Sequence, residues 1–562
     1  MTKLLKSYFI YILLVVSVLV WFLSYSKVPF IFFQQDELMG FGLFILNGVD
    51  MLYTGLGFKG MVHFVPVTMS LSFGLFNIFG LNHIPYNMFG LIFHTINGLL
   101  VYLLGQKIFK NRLYSLLALI MFFSSSSGAE LVMWPVINLN TISLSFSLLA
   151  MYVLISSYIK DGYLRINKSI YISILFLLAV FSVEYAAGLI FIIPATALLM
   201  DKRSLPLRGR KNSGTRKLTQ IWPFYLTVIM FLVLRFVPSL FLRELNTLNS
   251  VIETGIFDRV MSLIRLPLIY VAQTFLGQGA LINISQLISA VFWGNTTNTQ
   301  FAEGVIYKYL AFVLGIFIII IFLQLLSRFT KLNRKYLLIF LSFIIFSSLP
   351  FILVPGQLFS IFSSRYLYFG GVGYAFILVL ILQFVLNLKK NKITLLYLIF
   401  LVSMVLSGVY GNYKKGNALY HIGNLRVQIL SSFKKDYPTL PQKVIFYTDS
   451  NKSYYGLPDN DKILPFQSGL GQTLLLWYYS DEKFSKSFFE NEYLWDILSE
   501  GYKEIDDRGL GYFRDFERLK NAVNDNNLNP ESVIAFKWDY YTNTLTDTTN
   551  EVRNKLKNEN YK

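Results

Sequence analysis

Two carboxylates stand side by side in Phe33-Gln34-Gln35-Asp36-Glu37-Leu38, shortly beyond the strongly apolar segment 7–27. Flanked by Phe32, Phe33 and Leu38 at a membrane surface, a carboxylate is partly desolvated, which makes it hold a proton more readily and suits it to general-base work. Further on, His63 opens the run His63-Phe64-Val65-Pro66, and Glu130 follows Ser124-Ser125-Ser126-Ser127-Gly128 and precedes Trp134-Pro135. Glu184 lies in Ser182-Val183-Glu184-Tyr185, between two short apolar segments. Carboxylates close to hydrocarbon are costly and are retained mainly when paired or functional. Arg365 is the one charge of its loop, in Ser363-Ser364-Arg365-Tyr366-Leu367-Tyr368. At headgroup depth a guanidinium can grip a phosphate through two parallel hydrogen bonds. Each residue also has an ordinary reading: solvated loop acids, a hydrogen-bonded histidine, structural bonds between helix ends, an arginine anchored in an aromatic belt. Acids and a lone arginine on one membrane face nevertheless suit chemistry on a phosphate-bearing substrate.

The elements that must position these residues are membrane helices. The chain has 562 residues, 54% hydrophobic, 17% aromatic and only 15% charged, which excludes a soluble globular protein. Apolar stretches approaching the ~20 helical residues that cross a bilayer recur at 7–27, 86–106, 113–127, 137–158, 169–183, 186–200, 221–240, 305–327, 336–354, 366–388 and 394–411, about eleven spans. The first has no small-residue cleavage site and is followed by further spans, so it reads as a retained helix.

The net charge of +18 raises the question of nucleic acid, and its location answers it. Residues 412–562 hold 20 Lys+Arg and 21 Asp+Glu, so of the 50 basic and 32 acidic residues 30 and 11 remain for the membrane part. Those basic residues fall in every second loop: Lys107, Lys110 and Arg112; Lys160, Arg165 and Lys168; Lys202 to Lys217; Arg328, Lys331, Arg334 and Lys335; Lys389, Lys390 and Lys392. The pattern is the positive-inside rule with a cytoplasmic N-terminus. It puts Asp36, Glu37, the 241–304 connection and the C-terminal 150 residues outside the cytoplasm in a multi-pass protein of the cell membrane, with no nucleic-acid partner.

Two domains are expected: 1–411, all-α and membrane-embedded, and 412–562, a small extracytoplasmic α+β domain with strand-like runs such as Lys443 to Tyr447 and a helical 512–524. The polar tail from Asp547 is expected to lack structure. An amphipathic run from Val65 to Phe79 and interfacial helices within 241–304 are expected to roof a shared cavity. Absence of cysteine excludes disulfides and suits a bacterial envelope protein. No P-loop, dinucleotide fingerprint, zinc spacing or internal repeat is present, which speaks against an ATPase or a duplicated transporter.

In order and in common outward placement these features resemble the GT-C class of integral membrane glycosyltransferases, in particular bacterial relatives of the protein O-mannosyltransferases and TMTC-type enzymes. The resemblance runs over about 7–385 and rests on Asp36-Glu37, His63-Phe64-Val65-Pro66, Phe93-His94-Thr95-Ile96-Asn97, Glu130 to Trp134, Glu184, and Arg365-Tyr366-Leu367-Tyr368. It implies a sugar on polyprenyl phosphate as donor and inversion at the anomeric carbon. Asp36 would deprotonate the acceptor hydroxyl beside Glu37, Arg365 would lie near the lipid phosphate, and His63, Glu130, Glu184 and Tyr366 would contact substrate. Val183 and Ser364 depart from the family pattern, standing where a lysine and an acid are common. The acceptor would be a glycan, a teichoic acid or a protein. No cofactor is assigned; a divalent metal stays open, since Asp36, Glu37 and His63 are hard or borderline ligands of no fixed geometry. The competing readings are a lipid-linked glycan flippase, which calls for charges along the helix interiors where Arg235 is the main candidate, and a non-catalytic envelope scaffold.

Overall fold

The computed structural model describes residues 3–34, 36–54, 64–200, 220–241, 256–293, 305–353, 362–454, 457, 462–466, 469–490 and 494–559. His63 and the side chains of Asp36 and Arg235 lie outside the described residues. Each expected apolar segment coincides with a helix. In chain order these are α1 (Lys3–Tyr25), then the non-spanning α2 (Asp36–Asn47) and α3 (Pro66–Phe79), followed by α4 (His83–Phe109), α5 (Arg112–Ser124), the short α6 (Ala129–Met133), α7 (Thr141–Lys160), α8 (Ile166–Val180) and α9 (Leu189–Met200). Next come α10 (Trp222–Phe241), α11 (Ile256–Leu276), α12 (Gln278–Trp293), α13 (Tyr307–Arg328), α14 (Lys331–Ser347), α15 (Tyr368–Asn387) and α16 (Asn391–Asp436). Among the described residues seven helices are long and apolar enough to cross a membrane, eight if α11 and α12 count together as one broken span. α5, α8 and α9 are shorter apolar helices within the same bundle.

The lipid-facing character is legible helix by helix. On α1, Tyr8, Ile12, Leu14, Val18 and Phe22 are exposed, as are Leu395, Leu396, Ile399 and Val402 on α16. Large apolar surfaces of this kind are tolerated where the solvent is hydrocarbon. Inside, packing is close: Phe340 of α14 stacks on Phe376 of α15 with centroids 4.1 Å apart. A Cβ at Gly373 would lie 2.5 Å from the Phe340 carbonyl oxygen, the small-residue contact that lets two membrane helices approach.

The expected interfacial helices of 241–304 exist as α11 and α12, bent by 100° from each other, but α11 does not lie on the surface. Leu266, Tyr270, Val271 and Ala272 are wholly buried in the bundle. Apolar residues on nearly every turn of α11 outweigh its few charges, so it sinks among its neighbours.

α16 continues without a break from the membrane through 412 to Asp436, 46 residues in all. At ~1.5 Å per residue it is about 69 Å long, so its last turns project well past the bundle. There Ile429, Leu430 and Phe433 pack under a five-stranded sheet of order β2-β3-β1-β4-β5, formed by β1 (Lys443–Ser450), β2 (Gly501–Ile505), β3 (Arg508–Phe513), β4 (Val533–Asp539) and β5 (Thr544–Asp547). β1 runs parallel to β3 and β4, and the two edge pairs are antiparallel. Both faces of β1 are covered, which is why Val444-Ile445-Phe446-Tyr447 reads as an unbroken apolar run. Val444 and Phe446 face α16 and α17 (Leu470–Glu482). Ile445 faces α18 (Phe516–Asp525) and α19 (Thr549–Glu559).

Two sequence expectations change here. The helix expected over 512–524 starts at Phe516, because 508–513 is β3. The tail beyond Asp547 is ordered as α19: Val552 and Leu556, one turn apart, are buried against the sheet.

The sheet domain shares one core with the loop after α1. Phe33, Leu38, Phe41 and Phe44 belong to the same cluster as Leu470, Leu474, Phe488, Phe489 and Phe536. α2 is therefore clamped between the bundle and the domain.

Candidate functional site

Gly128 ends the serine-rich turn with φ +86°, where a Cβ would stand 2.5 Å from the Tyr368 ring, so only glycine allows the chain to turn into α6 here. That turn presents Glu130 to two distant segments. Its Oε2 accepts from Ser363 Oγ at 2.7 Å, Ser364 Oγ at 3.0 Å and Lys415 Nζ at 3.0 Å. Lys415 also donates to Ser364 Oγ at 3.3 Å. Burial works to push the Glu130 carboxyl up, but the Lys415 ammonium and the two serine hydroxyls outweigh it and hold the group below its ordinary range. With three donors on one oxygen, Glu130 is fixed as an anion that organises cation and hydroxyls, and is ill suited to taking a proton itself.

Arg365 lies in the same cluster. Its guanidinium sits over the Trp134 ring at 5.1 Å and the Tyr366 ring at 5.0 Å, and its Nη2 donates to the Tyr366 hydroxyl at 3.2 Å. A guanidinium stacked by its flat face makes its hydrogen bonds along its N–H edge, the edge that pairs with oxyanions in general. The turn carrying Arg365 is held from below. Tyr270 of α11 donates to the Tyr366 carbonyl at 2.8 Å, and Gln273 Nε2 donates to the Phe362 carbonyl at 3.2 Å and the Tyr307 hydroxyl at 2.7 Å. Tyr368, one turn on, shares a 2.8 Å hydrogen bond with His94 Nδ1 and accepts from Asn97 Nδ2 at 3.0 Å. His94 and Asn97 are 1% and 0% exposed, so this part of the chain anchors the site from within α4.

Glu184 is placed next to this group through Tyr185, whose ring meets Tyr366 edge-on at 6.0 Å. Its Oε1 accepts from the Phe64 backbone N–H at 2.9 Å, and Val67 N–H donates to the Phe181 carbonyl at 3.0 Å. Glu184 thus pins the backbone immediately after His63.

Glu37 lies in the first turn of α2 and is 4% exposed, enclosed by the core that the loop shares with the domain. The approach to that turn is set by Arg426 of α16, a guanidinium 1% exposed. Its Nη1 donates to the Phe33 carbonyl at 3.2 Å and to Gln34 Oε1 at 3.1 Å, and its Nε donates to the Pro465 carbonyl at 2.8 Å. One side chain therefore ties the extended segment leading into Asp36-Glu37 to the last membrane helix and to the sheet domain.

The structure thus brings Glu130, Arg365 and Tyr366 together, sets Glu184 beside them, and puts Glu37 in the neighbouring clamp. Sequence reasoning missed Lys415 and Arg426. Lys415 is half of a dibasic step directly after the last apolar run, and Arg426 interrupts Leu425-Val427-Ile429-Leu430; either break in pattern was a usable signal. Among the described residues no three His, Cys, Asp or Glu side chains are grouped to hold a metal ion.

No protein-family model matches the chain, and no curated protein is similar enough in sequence to serve as a relative.

Proposed function

We propose that the protein is a membrane glycosyltransferase of GT-C type that moves a sugar from polyprenyl phosphate to an extracytoplasmic glycan, teichoic acid or protein acceptor, with inversion. The observation that carries this reading is the cluster of Arg365, Lys415, Ser363 and Ser364 around Glu130 at the domain-side end of an apolar bundle. A lipid phosphate needs cations and hydroxyls at the boundary between hydrocarbon and water, with apolar surface beneath for its chain. Sugar transfer outside the cytoplasm lacks nucleotide sugars, so a lipid-borne donor is the chemical alternative.

In the reaction Asp36 takes the proton from the acceptor hydroxyl as its oxygen attacks the anomeric carbon. The bond from that carbon to the phosphate oxygen breaks, and its electron pair leaves on the phosphate, stabilised by Arg365 and Lys415. Phosphate is a good leaving group, so no general acid is needed. Glu37, buried in the same turn, orients the base, while Glu184 holds the backbone beside His63.

The test is sugar transfer by purified protein in liposomes, offered a panel of polyprenyl-phosphate monosaccharides and crude envelope acceptors. Wild type transfers and a folded Asp36→Asn does not. Equal transfer by both removes Asp36 as the base, and no transfer from any donor shifts the reading to a flippase or a scaffold.

A further inference from the structure

The face of α16 that grips the approach to Asp36 carries Gly423 and Arg426. Helical spacing puts Ala418, His421, Leu425 and Gln428 roughly on the opposite face. There, between α16 and the loops at the ends of β1 and β4, lies an open groove of about 590 Å³. Its walls carry two tyrosines, Tyr454 and Tyr540, three amides, Asn424, Gln428 and Asn543, and the imidazole of His421. Ile422 and Leu425 form its apolar part. Among the described residues lining it there is no Asp, Glu, Lys or Arg.

The two rings are held in place. Tyr454 and Tyr540 meet edge-on at 5.1 Å, the buried Trp538 indole donates to the Tyr454 hydroxyl at 3.0 Å, and the Lys452 ammonium lies 4.7 Å from the Tyr540 ring centroid. The backbone under Tyr540 is fixed separately by a 2.8 Å bond from its N–H to Asn451 Oδ1, so the ring can be removed without releasing the loop.

This lining selects a ligand by chemistry. Amides donate and accept at once, so they pair with hydroxyls rather than with ions. Tyrosine rings present flat apolar faces with a polar tip, the surface that matches the C–H face and hydroxyl rim of a pyranose. A volume within ~300–1,000 Å³ is that of a small-molecule site. We infer that the groove between α16 and the sheet domain is a binding site for a neutral oligosaccharide, separate from the Glu130–Arg365 cluster. That its ligand is the acceptor chain rests on the transferase reading; the groove's preference for neutral sugar rests on its own lining. As an exosite it holds a distal part of the glycan and raises the local concentration of the reacting end.

The experiment is saturation-transfer NMR on the full-length protein in lipid nanodiscs, with no sugar-headed detergent present. The probes are N-acetylchitotetraose, maltoheptaose and a mannan oligosaccharide, with poly(glycerol phosphate) as the anionic comparison. At least one neutral probe binds at millimolar concentration or below, Tyr540→Ala weakens it about tenfold or more, and Tyr540→Phe retains it. Binding by no neutral probe, binding unchanged in Tyr540→Ala, or binding of the anionic polymer alone would overturn the proposal. No lipid donor is involved, so the two failures separate. A protein that binds sugar here yet transfers none keeps the groove and loses the transferase, and one that transfers sugar with an inert groove does the reverse.

Discussion

Glu130 accepts from Ser363, Ser364 and Lys415 on a single oxygen, and this saturation fixes its behaviour with pH. Its folded pKa lies below the ordinary value of 4.5, so the unfolded chain is the more readily protonated form. The ion pair therefore contributes its full stabilisation above pH 4.5 and loses it as pH falls through the depressed folded value. Glu130→Gln should cost on the order of 1.5–3 kcal/mol at neutral pH, the range for hydrogen bonds to charged groups. In thermal unfolding of the solubilised protein the gap between wild type and variant should narrow as the pH is taken below 4.5; a gap that stays as wide throughout that descent would show that the carboxylate's charge is not what matters. Arg365 invites a different substitution. Arg365→Lys keeps the charge but loses the planar fork and its stacking on Trp134, so kcat/KM for the lipid donor should fall about tenfold or more. Retention of wild-type kcat/KM would mean that Arg365 is only an interfacial anchor.

Among the elements, α16 reaches both the Glu130 cluster and the approach to Asp36, and its second half was the least visible in the sequence. The apolar segments were legible because a lipid-facing helix must be apolar for most of its length; each matches a helix, but among the described residues only seven of the expected eleven are long and apolar enough to cross a membrane. The sheet was legible in Val444 to Tyr447 because a strand covered on both faces cannot alternate. Continuation of α16 to Asp436 was not, because outside the bilayer a helix needs no run of apolar residues, and Lys414-Lys415 looks like the end of a span. Of the site, the residue types were readable, but the meeting of Glu130 with Ser363 and Lys415 spans 233 and 285 positions, beyond what local periodicity can report. Gly423 tests the role assigned to α16. A Cβ there would lie 2.9 Å from the Phe32 backbone nitrogen and would have to push away the segment that leads to Asp36. Gly423→Ala should cost about 1–3 kcal/mol, as overpacking does, and should lower kcat while KM for the lipid donor stays near wild type. A fall in donor affinity with unchanged kcat would contradict the division of roles proposed between the acidic turn and the Glu130–Arg365 cluster.

For the whole molecule the decisive quantity is which side of the membrane the soluble domain occupies, because that determines what donor chemistry is within reach. A nucleotide sugar serves only a site open to the cytoplasm, whereas a polyprenyl-phosphate sugar serves one open to the other side. The charge asymmetry bears on this: 30 basic against 11 acidic residues lie before 412, gathered in alternate loops, while 412–562 is close to balanced. Retention of Lys and Arg on the cytoplasmic side should therefore leave the Lys389-Lys390-Lys392 turn inside and the sheet domain, with Glu130 and Arg365 at its base, outside. The absence of cysteine makes this measurable without first removing native thiols. Single cysteines replacing Lys390 and the exposed Tyr541, in intact cells treated with a membrane-impermeant maleimide, should give labelling at 541 and none at 390 until the cells are opened. Labelling of 390 alone would place the Glu130–Arg365 cluster and the acidic turn in the cytoplasm. The argument for a lipid-borne donor would then fail even if every contact within the cluster were as described.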